Sequence, residues 1–270
     1  MKYPAFLFTV MLSLAVFPVS VLAQVSGQGL YYHLTYRTVA PENDNAYRAV
    51  LSEIIRPMFE EEILNGRLSG WFVYRTYYKG EQEPYNYVFF RASTELGNLQ
   101  EPFEGGFEAA VQRVHGDRLD EINSRLAGIS VVVKDELWMQ NPISVLQANA
   151  QPQRWANVGF YRNHTQRDVT RDLLLQNVVA QFQLGRIDRG VSSGWAYFSR
   201  RFPFDDQNSY NVTDMLFYEK FDQILGAGIG EQIWSDVRSD TTNLSDNMDR
   251  LRESRTEVKR ELWELVEFAR

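Results

Sequence analysis

The chain has 270 residues, 44% of them hydrophobic, no cysteine and a formal net charge of −7 at pH 7. The lack of cysteine excludes disulfides, thiolate metal sites and cysteine nucleophiles. The acidity is mild and dispersed, which argues against the basic face that a nucleic-acid partner needs. Stability must come from packed apolar cores, and the length suits one large domain or two of common size.

The N-terminal residues have the pattern of a secretory signal peptide. Lys2 supplies a positive charge, residues 5–17 are almost wholly apolar, and Ala23 ends a stretch of small or modest side chains. The apolar run is shorter than the ~20 residues that span a bilayer. We therefore expect residues 1–23 to be cleaved, leaving a secreted or periplasmic protein without a membrane segment.

Three fragments recur in the same order at an offset of 124 or 125 residues. They are residues 65–71 with 189–195, residues 85–86 with 210–211, and residues 133–138 with 258–263. One inserted residue brings all three into register, which chance rarely achieves. We predict that residues 24–140 and 154–270 are two diverged copies of one unit. Two prolines bracket residues 141–153, which are predicted to form the linker.

Each half is predicted to begin with a strand followed by a helix. Residues 30–39 and their counterparts are rich in aromatic and β-branched side chains, which favour a strand. Apolar residues then recur at helical spacing. Gly66 and Gly190 should end these helices, because glycine adopts the left-handed conformation without steric cost. Pro57 should kink the first helix, whereas Gln181 at the matching position predicts a straighter second helix.

Two strands, a helical region and a last strand complete each predicted half. The second strand follows the repeated glycine-tryptophan pair, and the third begins after turn residues at Tyr85 or Tyr210. The last strand of the first half runs through residues 131–138. Residues 258–263 are rich in Glu and Lys and look helical, so the repeat alone predicts a strand there.

The order strand, helix, strand, strand, helix, strand is the ferredoxin-like arrangement. Such a sheet carries both helices on one face and leaves the other bare. The predicted fold class is therefore α+β, with two ferredoxin-like βαββαβ repeats packed sheet to sheet as an intrachain dimeric α+β barrel. Since the fused copies satisfy the usual dimer interface, we expect a monomer with an internal pseudo-dimer.

The repeated motifs resemble those of the dimeric α+β barrel superfamily in its tandem-fused form, and of uncharacterised exported bacterial proteins within it. The resemblance rests on residues 66–71, 85–87 and 136–138 and their counterparts, with Val212 departing from the pattern at the position of Tyr87. The superfamily includes oxygenases, haem-handling enzymes and modules without known catalysis. The resemblance therefore implies the fold and leaves the function open.

The recurring polar and aromatic residues are the candidates for a pocket or functional patch. They are Trp71, Tyr85, Asn86, Lys134, Glu136 and Trp138 in the first half, and Trp195, Tyr210, Asn211, Lys259, Glu261 and Trp263 in the second. Lys134, Glu136 and Trp138 alternate, so they project from one strand face. If desolvated, the lysine and the carboxylate could do acid–base work; the alternative is a surface or inter-copy ion pair.

The tryptophans and asparagines also have two interpretations. Trp71 and Trp195 are core anchors or aromatic pocket walls. Asn86 and Asn211 bond the turn backbone or point into a cleft.

The histidines are weaker candidates. His33, His115 and His164 have no histidine counterparts at the repeat offset and lack the spacing of metal ligands. Some haem-degrading relatives use an Asn, Trp and His set; Asn86, Trp71 and His115 are present here, but nothing in the sequence places them together, and the second half has no matching histidine. We predict no cofactor and no metal, and the sequence identifies no catalytic residue.

Two functions compete at this point. The absence of strong catalytic motifs favours a binding or accessory module for a small apolar or aromatic ligand. The alternative is a cofactor-independent oxygenase- or isomerase-like enzyme. That alternative requires a cavity of at least ~300 Å³ between the sheet and the helices of one copy, lined by one of the named polar residues.

Overall fold

The structure is a computed structural model that describes residues 29–80, 83–146, 151–165, 168–203, 210–225, 230–237 and 243–270. The predicted signal peptide lies outside the described residues, and the division into domains stays a prediction. No helix within the described ranges has both the length and the hydropathy that crossing a bilayer would require.

The first half contains four strands and five helices. They are β1 (Tyr31–Thr38), α1 (Asp44–Val50), α2 (Arg56–Leu64), β2 (Gly70–Tyr78), β3 (Tyr87–Ser93), α3 (Leu96–Gln100), α4 (Gly106–His115), α5 (Leu119–Leu126) and β4 (Val131–Gln140). The sequence predicted this order, apart from the short α3. Residues Val145–Leu146 form β5 within the predicted linker, which the composition did not indicate.

The described part of the second half follows a similar order. It contains β6 (Trp155–Asn163), α6 (Val169–Leu174), α7 (Ala180–Asp188), β7 (Gly194–Phe202), β8 (Val212–Tyr218), α8 (Asp222–Leu225), α9 (Gly230–Val237), α10 (Leu244–Ser254) and β9 (Arg255–Ala269). The Glu- and Lys-rich segment 258–263 lies within β9, so its prediction as a strand is confirmed.

The ends and interruptions of the helices test the predictions for single residues. Gly66 and Gly190 have φ of +73° and +67°, as predicted for left-handed helix ends. A π-helical turn, Leu51–Ile55, joins α1 to α2 just before Pro57, and a matching turn, Leu175–Val179, joins α6 to α7. The π turn of the second half forms without a proline, so Pro57 is not what interrupts the helix, and the prediction of a straighter second helix stays a prediction.

Eight antiparallel strands close into a barrel. The order is β4-β1-β3-β2-β9-β6-β8-β7, and β7 pairs back with β4. The two halves are joined edge to edge by β2 with β9 and by β4 with β7. The α+β class with an antiparallel sheet is thus confirmed in a closed form, whereas descent of the halves from one repeated unit stays a prediction.

Alternating side chains divide each strand between the barrel interior and the outer helical layers. The interior is one apolar cluster drawn from both halves, centred on Leu34, Phe90, Val158, Phe198 and Met215. The helices cover the outer faces of the sheet and build a separate core in each half. The space enclosed by the strands therefore belongs to both halves at once.

Candidate functional site

Polar side chains occupy one end of the otherwise apolar barrel interior. We call them the polar cluster, defined as Tyr36, Glu83, Tyr85, Lys134, Glu136, Arg200, Tyr210, Lys259 and Glu261. The alternation of β4 and β9 places the lysines, the carboxylates of Glu136 and Glu261, and the indoles of Trp138 and Trp263 on the interior face. Glu136 and Glu261 are buried, at 3% and 2% exposure.

Glu136 is surrounded by hydrogen-bond donors. Tyr210 donates its hydroxyl to Oε1 at 2.8 Å, and Tyr36 donates to Oε2 at 2.8 Å. The indole N–H of Trp138 donates to Oε2 at 3.1 Å, and Lys134 Nζ lies 3.5 Å from Oε1. A buried carboxylate needs such partners, because an unpaired charge inside a protein is very costly.

Glu261 has a matching environment. Tyr85 donates its hydroxyl to Oε1 at 2.6 Å, and the Trp263 indole donates to Oε2 at 2.7 Å. Lys259 Nζ lies 2.9 Å from Glu261 Oε1 and also donates to Glu83 Oε1 at 2.6 Å. The two carboxylates are therefore held by tyrosine, tryptophan and lysine in the same way.

Each half completes the other half's carboxylate site. Tyr210 of the second half bonds Glu136 of the first, and Tyr85 of the first half bonds Glu261 of the second. The sites are unequal, because the position of the second half that matches Tyr36 is occupied by Phe160. Only Glu136 among the two carboxylates has a guanidinium nearby in the described structure, with Arg200 Nη1 3.6 Å away.

Burial shifts the pKa of four members of this cluster, three tyrosines and one lysine. Burial, reinforced by the neighbouring carboxylates, raises the pKa of Tyr36, Tyr85 and Tyr210 well above its ordinary value. Burial lowers the pKa of the Lys134 ammonium. The phenols thus remain hydrogen-bond donors while a lysine becomes easier to deprotonate. This combination is suited to proton transfer.

Trp71 and Trp195 do not join the polar cluster. Both face the helical layers, at 0% and 1% exposure, and Trp71 stacks on Phe59 with the ring centroids 5.0 Å apart. Neither indole N–H has a hydrogen-bond acceptor in the described structure. Their positions are those of core anchors in the two outer layers.

Asn86 and Asn211 bond neighbouring backbone. Asn86 accepts from Val39 N and donates to Val39 O, both at 2.8 Å. Asn211 accepts from Asn163 N at 2.9 Å. The backbone that they bond lies at the ends of β1 and β6 rather than in the turns before β3 and β8, so the bonds tie neighbouring strands together.

The Asn86→Ala variant should lower the free energy of unfolding by about 2 kcal/mol, because two backbone groups lose their partner. Asn211→Ala removes one such bond and should cost about half as much. Urea denaturation followed by circular dichroism measures both. Equal losses for the two variants would contradict this assignment of their bonds.

The three histidines lie apart from one another and from the polar cluster. His33 contacts Arg91 and lies 3.4 Å from Asp135 on the outer face of the sheet. His115 bonds Ile54 O at 3.0 Å, and His164 bonds Thr256 at 2.9 Å. No group of three or more His, Asp or Glu side chains in the described ranges could hold a metal ion.

A partly open cavity of about 160 Å³ lies in the barrel at the end opposite the polar cluster. We call it the mouth cavity; its lining includes Tyr32, Phe72, Tyr74, Phe90, Phe198 and Phe217. It is smaller than the expected cavity, and it lies between the halves rather than between a sheet and its helices. None of the predicted site residues lines it, so sequence reasoning missed this cavity.

No protein-family model and no curated protein match the chain. Solved structures do resemble it. A protein provisionally named a chlorite dismutase has a TM-score of 0.50 and 13% identity, over 89% of this chain and 96% of that one. A provisionally named monooxygenase from Lactobacillus acidophilus NCFM has a TM-score of 0.48 and 7% identity, over 90% and 96%. A heme-binding protein from Thermus thermophilus has 0.46 and 13%, over 88% and 91%.

The first of these likenesses shows the ferredoxin-like α+β fold, and the names of the similar structures correct two expectations. The expectation of a binding or accessory module finds no support in the comparisons, since the similar structure with a TM-score of 0.50 is named as an enzyme. The expectation of no cofactor finds no support there either, since one of the similar structures is named as heme-binding. Both expectations rested on the absence of catalytic motifs, whereas the strands of this barrel bring polar residues together from distant parts of the sequence.

Haem does not fit the described residues of this chain. Its iron is commonly held by His, Cys or Tyr, or by a Met with a His. No described histidine lines either void of the barrel, and the chain has no cysteine. The mouth cavity does hold Tyr32, Tyr74 and Met215, but about 160 Å³ is well below the ~300 Å³ of ordinary ligand pockets. We therefore derive no reaction step through haem.

Proposed function

We propose that the protein is an isomerase-like enzyme that moves a proton between two positions of a small carbonyl-bearing substrate at the polar cluster. One observation carries this proposal: lysine, tyrosine and carboxylate groups form a connected chain inside an apolar barrel. Lys134 Nζ donates to the Tyr210 hydroxyl at 2.5 Å, and Tyr210 donates to Glu136. Enzymes place ionisable groups in such surroundings to tune them for acid–base work.

Lys134 is the residue assigned to accept the proton. Its side chain is 30% exposed, so a substrate would reach it from the solvent end of the cluster rather than from the enclosed cavity that the sequence led us to expect, whereas Glu136 behind it is sealed. A neutral Lys134 amine takes a proton from a carbon next to the carbonyl and returns it to another atom of the same substrate. The substrate gains and loses one proton, so the reaction consumes no further reactant.

The other members of the cluster hold and support this lysine. Tyr210 and Glu136 fix the position of Nζ and stabilise its charge once it is protonated. Lys259, held by Glu83 and Glu261, supplies a second positive charge near the carbonyl oxygen as negative charge develops there. The indoles of Trp138 and Trp263 fix the carboxylates from the apolar side.

The proposal is tested by deuterium exchange. A panel of small cyclic and aryl ketones is incubated in D₂O with the protein, and deuterium at the carbon next to the carbonyl is followed by NMR. The Lys134→Met variant should slow exchange by about 100-fold or more, the usual contribution of a general base. Glu60→Gln, on the exposed face of α2, is the matched control. Wild-type exchange no faster than buffer across the panel would refute the proposal.

The duplication and the export of the chain belong to the same proposal. Tyr36 lies opposite Lys134 in the register of β1 with β4, and Phe160 lies opposite Lys259 in the register of β6 with β9. This matching register supports descent of the two halves from one ferredoxin-like unit. The predicted signal peptide supports action outside the cytoplasm. Since each half completes the other's carboxylate site, we propose a monomer that contains the whole site.

A further inference from the structure

The mouth cavity is separated from the polar cluster along the barrel. Tyr32 lines the mouth cavity, whereas Tyr36 on the same strand belongs to the polar cluster. Four residues of strand correspond to about 13 Å. Between the two ends lies a void of only about 10 Å³, lined by Trp138 and Trp263 among others. A ligand in the mouth cavity therefore cannot touch the proposed proton-transfer groups.

Tyr74 has an unused hydrogen-bond donor in this cavity. Its side chain is 95% buried, at 5% exposure, and it lines the cavity. The nearby Tyr32 donates its hydroxyl to Gln140 at 2.8 Å, but the Tyr74 hydroxyl has no partner in the described structure. The hydroxyl oxygen is not fully enclosed, so part of its surface remains accessible in a residue that lines the cavity. Burial raises the pKa of Tyr74, so the hydroxyl keeps its proton.

The size and lining of the cavity select the kind of occupant. A volume of about 160 Å³ is close to that of an engineered cavity of ~150 Å³ that binds benzene. Phe72, Phe90, Phe198 and Phe217 provide aromatic faces and edges, and Met215 adds a polarisable sulfur. One six-membered ring fits this space.

We infer that the mouth cavity is a second ligand site, which binds a single aromatic ring whose carbonyl or hydroxyl oxygen accepts a hydrogen bond from Tyr74. The ring replaces water against the phenylalanines, and the oxygen satisfies the unused hydroxyl. This site goes beyond the proposed proton transfer, because it uses none of the polar cluster.

Binding of two nearly isosteric probes tests the inference. Acetophenone carries the acceptor oxygen, and ethylbenzene does not. Isothermal titration should show that wild type binds acetophenone, and that Tyr74→Phe weakens this binding about 10-fold while leaving ethylbenzene unchanged. Because only a hydroxyl is removed, the variant keeps the shape of the cavity. Tyr77→Phe, at an exposed tyrosine, is the matched control.

Two results would overturn the inference. One is the absence of saturable acetophenone binding to wild type. The other is equal affinity of wild type and Tyr74→Phe for acetophenone, which would leave the hydroxyl without a role. Lys134→Met should bind both probes as wild type does. Loss of deuterium exchange and loss of probe binding therefore report on different ends of the barrel, and either proposal can fail alone.

Discussion

Raising the pH from about 9 to about 11 should unfold the protein cooperatively. Nine described tyrosines have a pKa that burial raises above the ordinary value: Tyr32, Tyr36, Tyr47, Tyr74, Tyr85, Tyr87, Tyr161, Tyr197 and Tyr210. In the unfolded chain these phenols ionise near pH 10. The stability that they contribute is fully present below that pH and is lost as the pH rises towards their folded pKa values.

The size of the loss follows from proton linkage. Each tyrosine whose pKa is raised in the folded state lowers the free energy of unfolding by up to about 1.4 kcal/mol per pH unit above pH 10. Burial acts in the opposite direction on three cations, lowering the pKa of Lys79, Lys134 and Arg91, the last to about 10. Because the nine tyrosines outweigh the three cations, the free energy of unfolding should fall by on the order of 10 kcal/mol by pH 11. This loss is similar to the whole stability of a typical domain.

Tyr47 provides the matched variant for this prediction. Its hydroxyl is buried and has no hydrogen-bond partner in the described structure, so Tyr47→Phe should be nearly neutral at pH 7. At pH 11 the same variant should be more stable than wild type by about 1 kcal/mol, because one titrating group is gone. Tyr78→Phe, at an exposed position, is the control. Urea denaturation at both pH values, with tyrosinate absorbance, measures the effect.

The local parts of the polar cluster could be predicted from the sequence. Strand alternation places Lys134, Glu136 and Trp138 on one face, and the offset of 125 residues carries the same pattern to Glu261 and its neighbours. Both steps use short-range geometry that a strand imposes on any sequence. The prediction that a Glu- and Lys-rich segment is a strand rested on that offset alone, since its local composition favours a helix.

The partners of those residues could not be predicted. Tyr36 and Arg200 approach Glu136 only because β1 and β7 lie on either side of β4 in the closed barrel. Closure depends on strand register over long sequence separations, which no local pattern specifies. Tyr36 also has no matching tyrosine in the second half, so the repeat gave no signal for it. The mouth cavity was missed for the same reason, because its lining comes from both halves.

Glu261→Ala should be among the most destabilising single substitutions in the barrel, lowering the free energy of unfolding by about 3–5 kcal/mol. The variant leaves three groups that used the carboxylate without it: the Lys259 ammonium, the Tyr85 hydroxyl and the Trp263 indole. Lys259 keeps Glu83 as a partner, but its own side chain is only 13% exposed, so water replaces little of what is lost.

A double substitution separates the two contributions to this loss of stability, the unpaired charge of Lys259 and the lost contacts of the carboxylate. Removing the lysine as well, in Lys259→Met with Glu261→Met, takes away the orphaned charge and fills the space with apolar atoms. Replacing both members of a buried pair is often far less costly than removing one. The double variant should therefore be at least about 1 kcal/mol more stable than Glu261→Ala. Denaturant unfolding compares the two, with Glu60→Ala on the exposed face of α2 as control. If the double variant were the less stable one, hydrogen bonding by the carboxylate, rather than charge pairing, would be what holds this end of the barrel together.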